Sequence, residues 1–161
     1  MGYYRAFICE TGHVIDEMAD QSTKSQNFCE TCGKKVFSSC SYCGKSIKGI
    51  YFSDEENVLG MPEEYKLPNY CPECGNKYPW TENAIKSAIE LANEIESFSE
   101  SDKTIFKDNI SDLVKDTPQT EVAVRRFQNI FSKLKKEGVN TFKTILTDVI
   151  SESVKKSLFG V

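Results

Sequence analysis

Residues 29–44 read CETCGKKVFSSCSYCG: two Cys-x-x-Cys pairs, Cys29/Cys32 and Cys40/Cys43, each followed at once by a glycine, Gly33 or Gly44. A third copy, Cys71-Pro-Glu-Cys74-Gly75, lies further along the chain. Two thiolates reach one tetrahedral ion only if the backbone turns tightly around it, and glycine readily takes the positive φ of such a turn. Three pairs supply six donors. Two closed sites of the structural zinc kind need eight.

The missing two lie towards the N-terminus. Cys9 is the seventh cysteine, and the odd count means the thiols cannot all pair with one another. Four residues on is the only histidine, in Cys9-Glu-Thr-Gly12-His13, a slightly longer turn that again holds a glycine. A lone histidine is ordinarily a packed or surface side chain. Here seven donors are present and His13 stands where the eighth belongs, so residue type and spacing make it a ligand. Pairing in chain order gives Cys9, His13, Cys29 and Cys32 to a first site and Cys40, Cys43, Cys71 and Cys74 to a second. That arrangement is two successive zinc ribbons with two Zn²⁺ per chain. A cross-braced arrangement of the RING kind is the alternative; sequential ribbons are preferred because short, un-knotted connections are commoner.

Between the turns, Tyr3 to Ile8, Lys35 to Phe37 and Ile47 to Phe52 are rich in aromatic and β-branched residues and read as short strands. Residues 53–68, SDEENVLGMPEEYKLP, form an acidic insertion in the second ribbon. It reads as a solvated loop, with Tyr51, Tyr65 and Tyr70 as the residues that would give it a contact role.

After Trp80 the cysteines stop and the apolar period becomes helical. Thr81 reads as an N-cap before Ala84, Ile85, Ala88, Ile89, Ala92 and Ile95. Ser99 to Asp102 is a capping-box-like start for Ile105, Phe106, Ile110, Leu113 and Val114. Thr117-Pro118 opens a third stripe of Val122, Phe127, Ile130, Phe131 and Leu134, punctuated by Gly138. A fourth carries Phe142, Ile145, Leu146, Val149, Ile150, Val154 and Leu158. The expected class is α+β: two small β zinc ribbons over 1–80, then an all-α region of about four helices over 81–161.

Residues 1–80 hold 8 Lys and Arg against 11 Asp and Glu, and seven thiolates with two Zn²⁺ would bring this half to −6. Binding to nucleic acid is driven largely by phosphate neutralisation, which an acidic module serves poorly. The best candidate for it is a local excess of +4 between Glu121 and Lys143, formed by Arg125, Arg126, Lys133, Lys135, Lys136 and Lys143. Eight donors in two closed sites leave no open coordination position for catalysis. The chain also lacks H-E-x-x-H, a Gly-rich phosphate loop and G-x-S-x-G. No apolar stretch at the N-terminus suggests export, which points to a reducing cytoplasm, where paired cysteines more often bind metal than form disulfides.

The knuckle series, the opening MGYYRAFICETGH, the junction YCPECGNKYPWTE and the segments DTPQTEVAVRRF and DVISESVKKSLFG resemble an uncharacterised bacterial double zinc-ribbon family, domain of unknown function 2321. The resemblance spans nearly the whole chain and implies a bacterial cytosolic setting and the same eight ligand positions; it carries no activity. The expected function is non-enzymatic: structural zinc ribbons with a helical tail for protein–protein interaction, self-association or scaffolding. The alternatives are nucleic-acid binding through the 121–143 patch and a thiol- or zinc-based redox response. A membrane is not an expected partner.

Overall fold

The computed structural model describes residues 2–52 and 64–160, so most of the 53–68 insertion lies outside the described residues. The chain divides into two compact units, Met1–Trp80 and Thr81–Val161. The α+β class holds, with strands first and helices after.

The first unit is organised by β1 (Gly2–Cys9), which pairs antiparallel with β2 (Val14–Ala19), β3 (Val36–Phe37) and β4 (Lys48–Phe52). The registers include Ile8 opposite Val14, Cys9 opposite Val36, and Tyr3 opposite Tyr51. Three of these strands were expected. β2 was not, because VIDEMA shows no clean alternation of apolar and polar residues. Its origin is the turn before it: Cys9-Glu-Thr-Gly12-His13 is the β1–β2 hairpin loop, so a strand entering that loop leaves as a strand. Gly49 on β4 is required by close approach, since a Cβ there would lie 2.1 Å from the Glu17 carbonyl oxygen on β2.

The core of this unit is small. Ala6, Ile8, Ile47, Tyr78 and Trp80 are buried together with Cys40 and Cys71, flanked by Phe37, Tyr65 and Leu67. Trp80 stacks on Tyr78 at 4.6 Å, and its indole N–H donates to the Pro68 carbonyl at 2.8 Å. Of the aromatics singled out in the sequence, Tyr51 is exposed, whereas Tyr65 and Tyr70 are half-buried.

The second unit contains five helices where four stripes were read: α1 (Pro79–Glu94), α2 (Glu100–Leu113), α3 (Pro118–Phe131), α4 (Lys136–Leu146) and α5 (Glu152–Phe159). The boundary between the units falls in the first turn of α1. Thr81 is not the N-cap of α1. The helix opens at Pro79, whose fixed φ suits a first helical position, and leaves Thr81 buried in the first turn. Gly138 does not end the third helix either; it lies in the first turn of α4 and has no positive φ, the property that lets a glycine stop a helix. The fourth stripe is divided because Ser151 takes an extended backbone (ψ 160°) and caps α5 by accepting from the Val154 N–H. Val149 and Ile150, in the turn between the two pieces, stay buried.

This unit packs around phenylalanine. Phe106 is fully buried and meets Phe127 at 4.7 Å and Phe142 at 5.2 Å, while Phe131 meets Phe142 at 5.1 Å and Phe159 at 6.0 Å. The expected box at Ser99 is present: the Ser99 N–H donates to Asp102 Oδ2 (2.9 Å) and the Asp102 N–H to Ser99 Oγ (3.1 Å). The same carboxylate accepts from Lys133 Nζ at 2.6 and 2.7 Å, tying the start of α2 to the turn after α3. Among the described residues no helix is long and apolar enough to cross a membrane.

The Lys133 ammonium first, and then the Ser99 donors, hold Asp102 down from 3.8 to about 2. A carboxylate depressed by folding stabilises the fold above its unfolded pKa and ceases to do so as pH falls through the folded value. The helical unit therefore loses this contribution between about pH 4 and pH 2. Asp102→Asn should cost about 1 kcal/mol at neutral pH through the weakened cap and flatten the fall in stability over that window. Chemical unfolding of both proteins followed by far-ultraviolet circular dichroism checks it; parallel acid profiles would detach Asp102 from the acid response.

Candidate metal centres

The four turns are built on one backbone scheme. In the Cys-x-x-Cys turns the glycine N–H returns to the carbonyl of the first cysteine, from Gly33 to Cys29 (2.8 Å), Gly44 to Cys40 (2.9 Å) and Gly75 to Cys71 (2.8 Å). The three glycines have φ of 69°, 74° and 72°. The N–H of each first cysteine donates across the turn, to Lys34, Lys45 or Asn76. Bridges between Phe28 and Lys35, Ser39 and Ser46, and Tyr70 and Lys77 close the three as miniature hairpins with identical offsets. A longer repeat is thus present than the cysteine spacing alone suggests, and it ends on Val36, Ile47 or Tyr78, whose N–H groups donate to Asn27, Ser38 and Asn69 respectively. The first turn is the variant: Gly12 N–H donates to the Cys9 carbonyl and Cys9 N–H to the His13 carbonyl, both at 3.0 Å.

The scheme aims N–H groups at sulfur. Cys29 faces the amides of Thr31 and Cys32, Cys71 those of Glu73 and Cys74, and Cys9 accepts from the His13 N–H at 3.3 Å. Such bonds favour thiolate over thiol before any ion arrives. In the second centre Asn76 Nδ2 adds a donor to Cys74 at 3.4 Å.

These turns bring the eight donors together as two groups, Cys9, His13, Cys29 and Cys32, and Cys40, Cys43, Cys71 and Cys74. Within each group every donor atom lies within 4.8 Å of the others. In the first, Cys9 and Cys32 sulfurs are 3.7 Å apart, and His13 Nδ1 is 3.5 Å from Cys9 and 3.6 Å from Cys29. In the second, Cys40–Cys74 and Cys43–Cys71 are each 3.7 Å. All seven cysteines are free, and these gaps far exceed the roughly 2.05 Å of a disulfide. The grouping is sequential and not cross-braced, because β3 returns the second turn to the end of β1, where Cys9 sits.

Four sulfurs this close conflict electrostatically. Burial raises Cys71, but the Cys74 and Glu73 amides outweigh it and bring the thiol to about 6. At Cys43 the Lys45 amide favours the anion, yet desolvation and the sulfurs of Cys71, Cys74 and Cys40 push it up to about 12. Hydrogen bonding from the Thr11 hydroxyl, then from the Lys34 amide, lowers Cys32 to about 7. One thiolate thus suppresses the next, and a cation at the centre removes the conflict. The donor set and its spacing fit one metal ion per group.

The 121–143 patch is not assembled as the sequence suggested. Lys133 is bound to Asp102, and Arg126 donates to Asn109 Oδ1 on α2. Arg125 lies in a shallow polar cleft with Glu121, Gln128 and Ser157. Lys135 and Lys136 begin α4 and Lys143 lies in its last turn, where it complements the helix dipole. Two of the six cations therefore serve the packing of α2 on α3 and its following turn. Sequence reasoning missed Thr11, whose hydroxyl approaches three donors of the first centre.

The family described as "Uncharacterized protein conserved in bacteria (DUF2321)" matches residues 2–158. The chain belongs to that family. No curated protein and no solved structure matches it. The match runs through both units of this chain.

Trp80 is the single tryptophan of this family member and shares its core with Cys40 and Cys71. Stripping metal with a strong chelator should expose it and move its emission to longer wavelength, with recovery on returning the ion. Emission that stays unchanged after complete removal would mean that this core stands without metal.

Proposed function

We propose that this protein is a non-enzymatic double zinc-ribbon protein, with two structural Zn²⁺ per chain and a protein-binding role. The observation that carries the reading is the donor spacing. A tetrahedral zinc with Zn–S of about 2.3 Å and Zn–N of about 2.0 Å sets its donors about 3.8 Å apart for sulfur pairs and about 3.5 Å for sulfur and nitrogen. The gaps of 3.7 Å and of 3.5–3.6 Å fall on those edges. Three cysteines with one histidine, and four cysteines, are closed structural donor sets that leave no position for substrate. His13 would bind through Nδ1, leaving its other ring nitrogen as an N–H donor. Seven free thiols are consistent with a reducing cytoplasm.

The ions would replace the core that about 80 loop-rich residues cannot otherwise build. The partner role draws support from where apolar side chains are left outside. Tyr3, Phe28, Tyr42, Tyr51 and Phe52 are exposed in the first unit, Phe28 by 63% and Tyr42 by 60%. Tyr3 and Tyr51 pair edge-on at 5.1 Å beneath Lys48, whose ammonium lies 5.0 Å from the Tyr3 ring. Among the described residues the helical unit exposes one large apolar side chain, Val122. We therefore place the contact surface for a protein partner on the ribbons, ahead of the helices the sequence alone favoured. Nucleic-acid binding draws little support, with Arg126 and Lys133 engaged within the helices.

Native mass spectrometry of the full chain tests the reading. The expected result is two zinc ions per chain, with His13→Ala retaining one ion tightly and binding the other at least about 100-fold more weakly. A single ion in the wild type, or an unchanged variant, would overturn the closed-site reading, and the measured mass would distinguish zinc from iron.

A further inference from the structure

Thr11 occupies a position in the first centre that its place in the chain does not announce. Its Oγ1 lies 3.2 Å from Cys9 Sγ, 3.2 Å from Cys32 Sγ and 3.4 Å from His13 Nδ1. An oxygen nearly equidistant from three donors stands over the face they bound. The other side of that face belongs to the buried sulfur of Cys29, itself within 4.8 Å of each of the three. The residue is held there by its neighbour. Gly12 has φ of 95°, and a Cβ on it would meet Leu67 at 3.2 Å and Trp80 at 3.3 Å, so the loop is seated against the core.

We propose that Thr11 is a positioning residue of the first metal site, whose hydroxyl shares its one proton between the Cys9 and Cys32 sulfurs and shields the solvent-facing side of the bound ion from incoming ligands. The proposal rests on the metal-binding reading above. Thiolates only accept hydrogen bonds, and a metal-bound imidazole nitrogen has no lone pair to offer, so the hydroxyl proton is directed to sulfur. Thr11 and His13 are exposed, and that side is therefore the one from which water or a competing chelator approaches. A tetrahedral zinc ion can expand to five-coordination when a further ligand adds. A hydroxyl over the exposed face hinders that addition, and the hydrogen bond it gives draws electron density from the sulfur it reaches. The second centre is supported differently, by the Asn76 amide on Cys74. The two ions should accordingly respond independently to changes at Thr11.

The test loads the full-length wild type, Thr11→Val and Thr11→Ser with Co²⁺, records the thiolate charge-transfer band, and follows metal release into excess EDTA. His13→Ala marks which kinetic phase belongs to the first site. Thr11→Val keeps the size and branching of threonine without its hydroxyl. It should speed the first-site phase by about 10- to 100-fold, move that site's charge-transfer band to lower energy, and leave the second phase unchanged. Thr11→Ser should restore both properties. Two ions bound with rates and bands equal to wild type in Thr11→Val would overturn the role given to Thr11 while leaving the metal reading intact. Equal acceleration of both phases, or failure of Thr11→Ser to restore the band, would reduce Thr11 to a packing residue. A wild type that does not take up two ions would overturn the metal reading, and this proposal with it.

Discussion

Thiolates crowded within 4.8 Å of one another repel, and the N-terminal unit contains two such donor groups beside a small apolar cluster that includes Ile8, Ile47, Tyr78 and Trp80. Backbone amides directed at the sulfurs ease the repulsion without removing it, as the opposite displacements of Cys71 and Cys43 show. A divalent cation among the donors would relieve that repulsion. Cys40 and Cys71 lie in both the donor group and the apolar cluster, so the same side chains terminate the core and begin the centre. Packing in this unit is in that sense continuous with coordination.

The three Cys-x-x-Cys turns are tight hairpins, and each needs a residue that tolerates φ near 70°. Repetition of one scheme three times, with a variant at Cys9, explains how so little regular structure suffices. β1 then does the assembling. Its C-terminal end supplies Cys9, its hairpin loop supplies His13, and its pairing with β3 brings Cys29 and Cys32 beside them. The first centre is consequently built on the sheet, whereas the second joins two turns separated by the 53–68 insertion.

The helical unit follows the opposite logic, with a phenylalanine core and its charges used at the joints. Asp102 caps α2 and receives Lys133, and Asn109 receives Arg126. Residues that look like a cationic surface when counted along the chain are divided in space between packing and solvent. Charge density in sequence is a poor guide to a binding surface wherever a long side chain can reach an acceptor on a neighbouring helix.

Local chemistry was legible in the sequence. The eight donors, the glycine turns, the change from strand to helix near Trp80, the Ser99 box and the proline start of α3 each depend on residues only a few positions apart. The helix boundaries at Thr81, Gly138 and Ser151 were misread because φ and ψ at those points are set by packing as well as by residue type. β2 was hidden because its strand character comes from its partner β1 and not from its own pattern. Which turns come together as a donor group, where Arg126 and Lys133 end, and the seat of Thr11 over three donors were decided only by tertiary structure. Each requires segments distant in sequence to meet at hydrogen-bonding distance, and local spacing carries no information about that meeting.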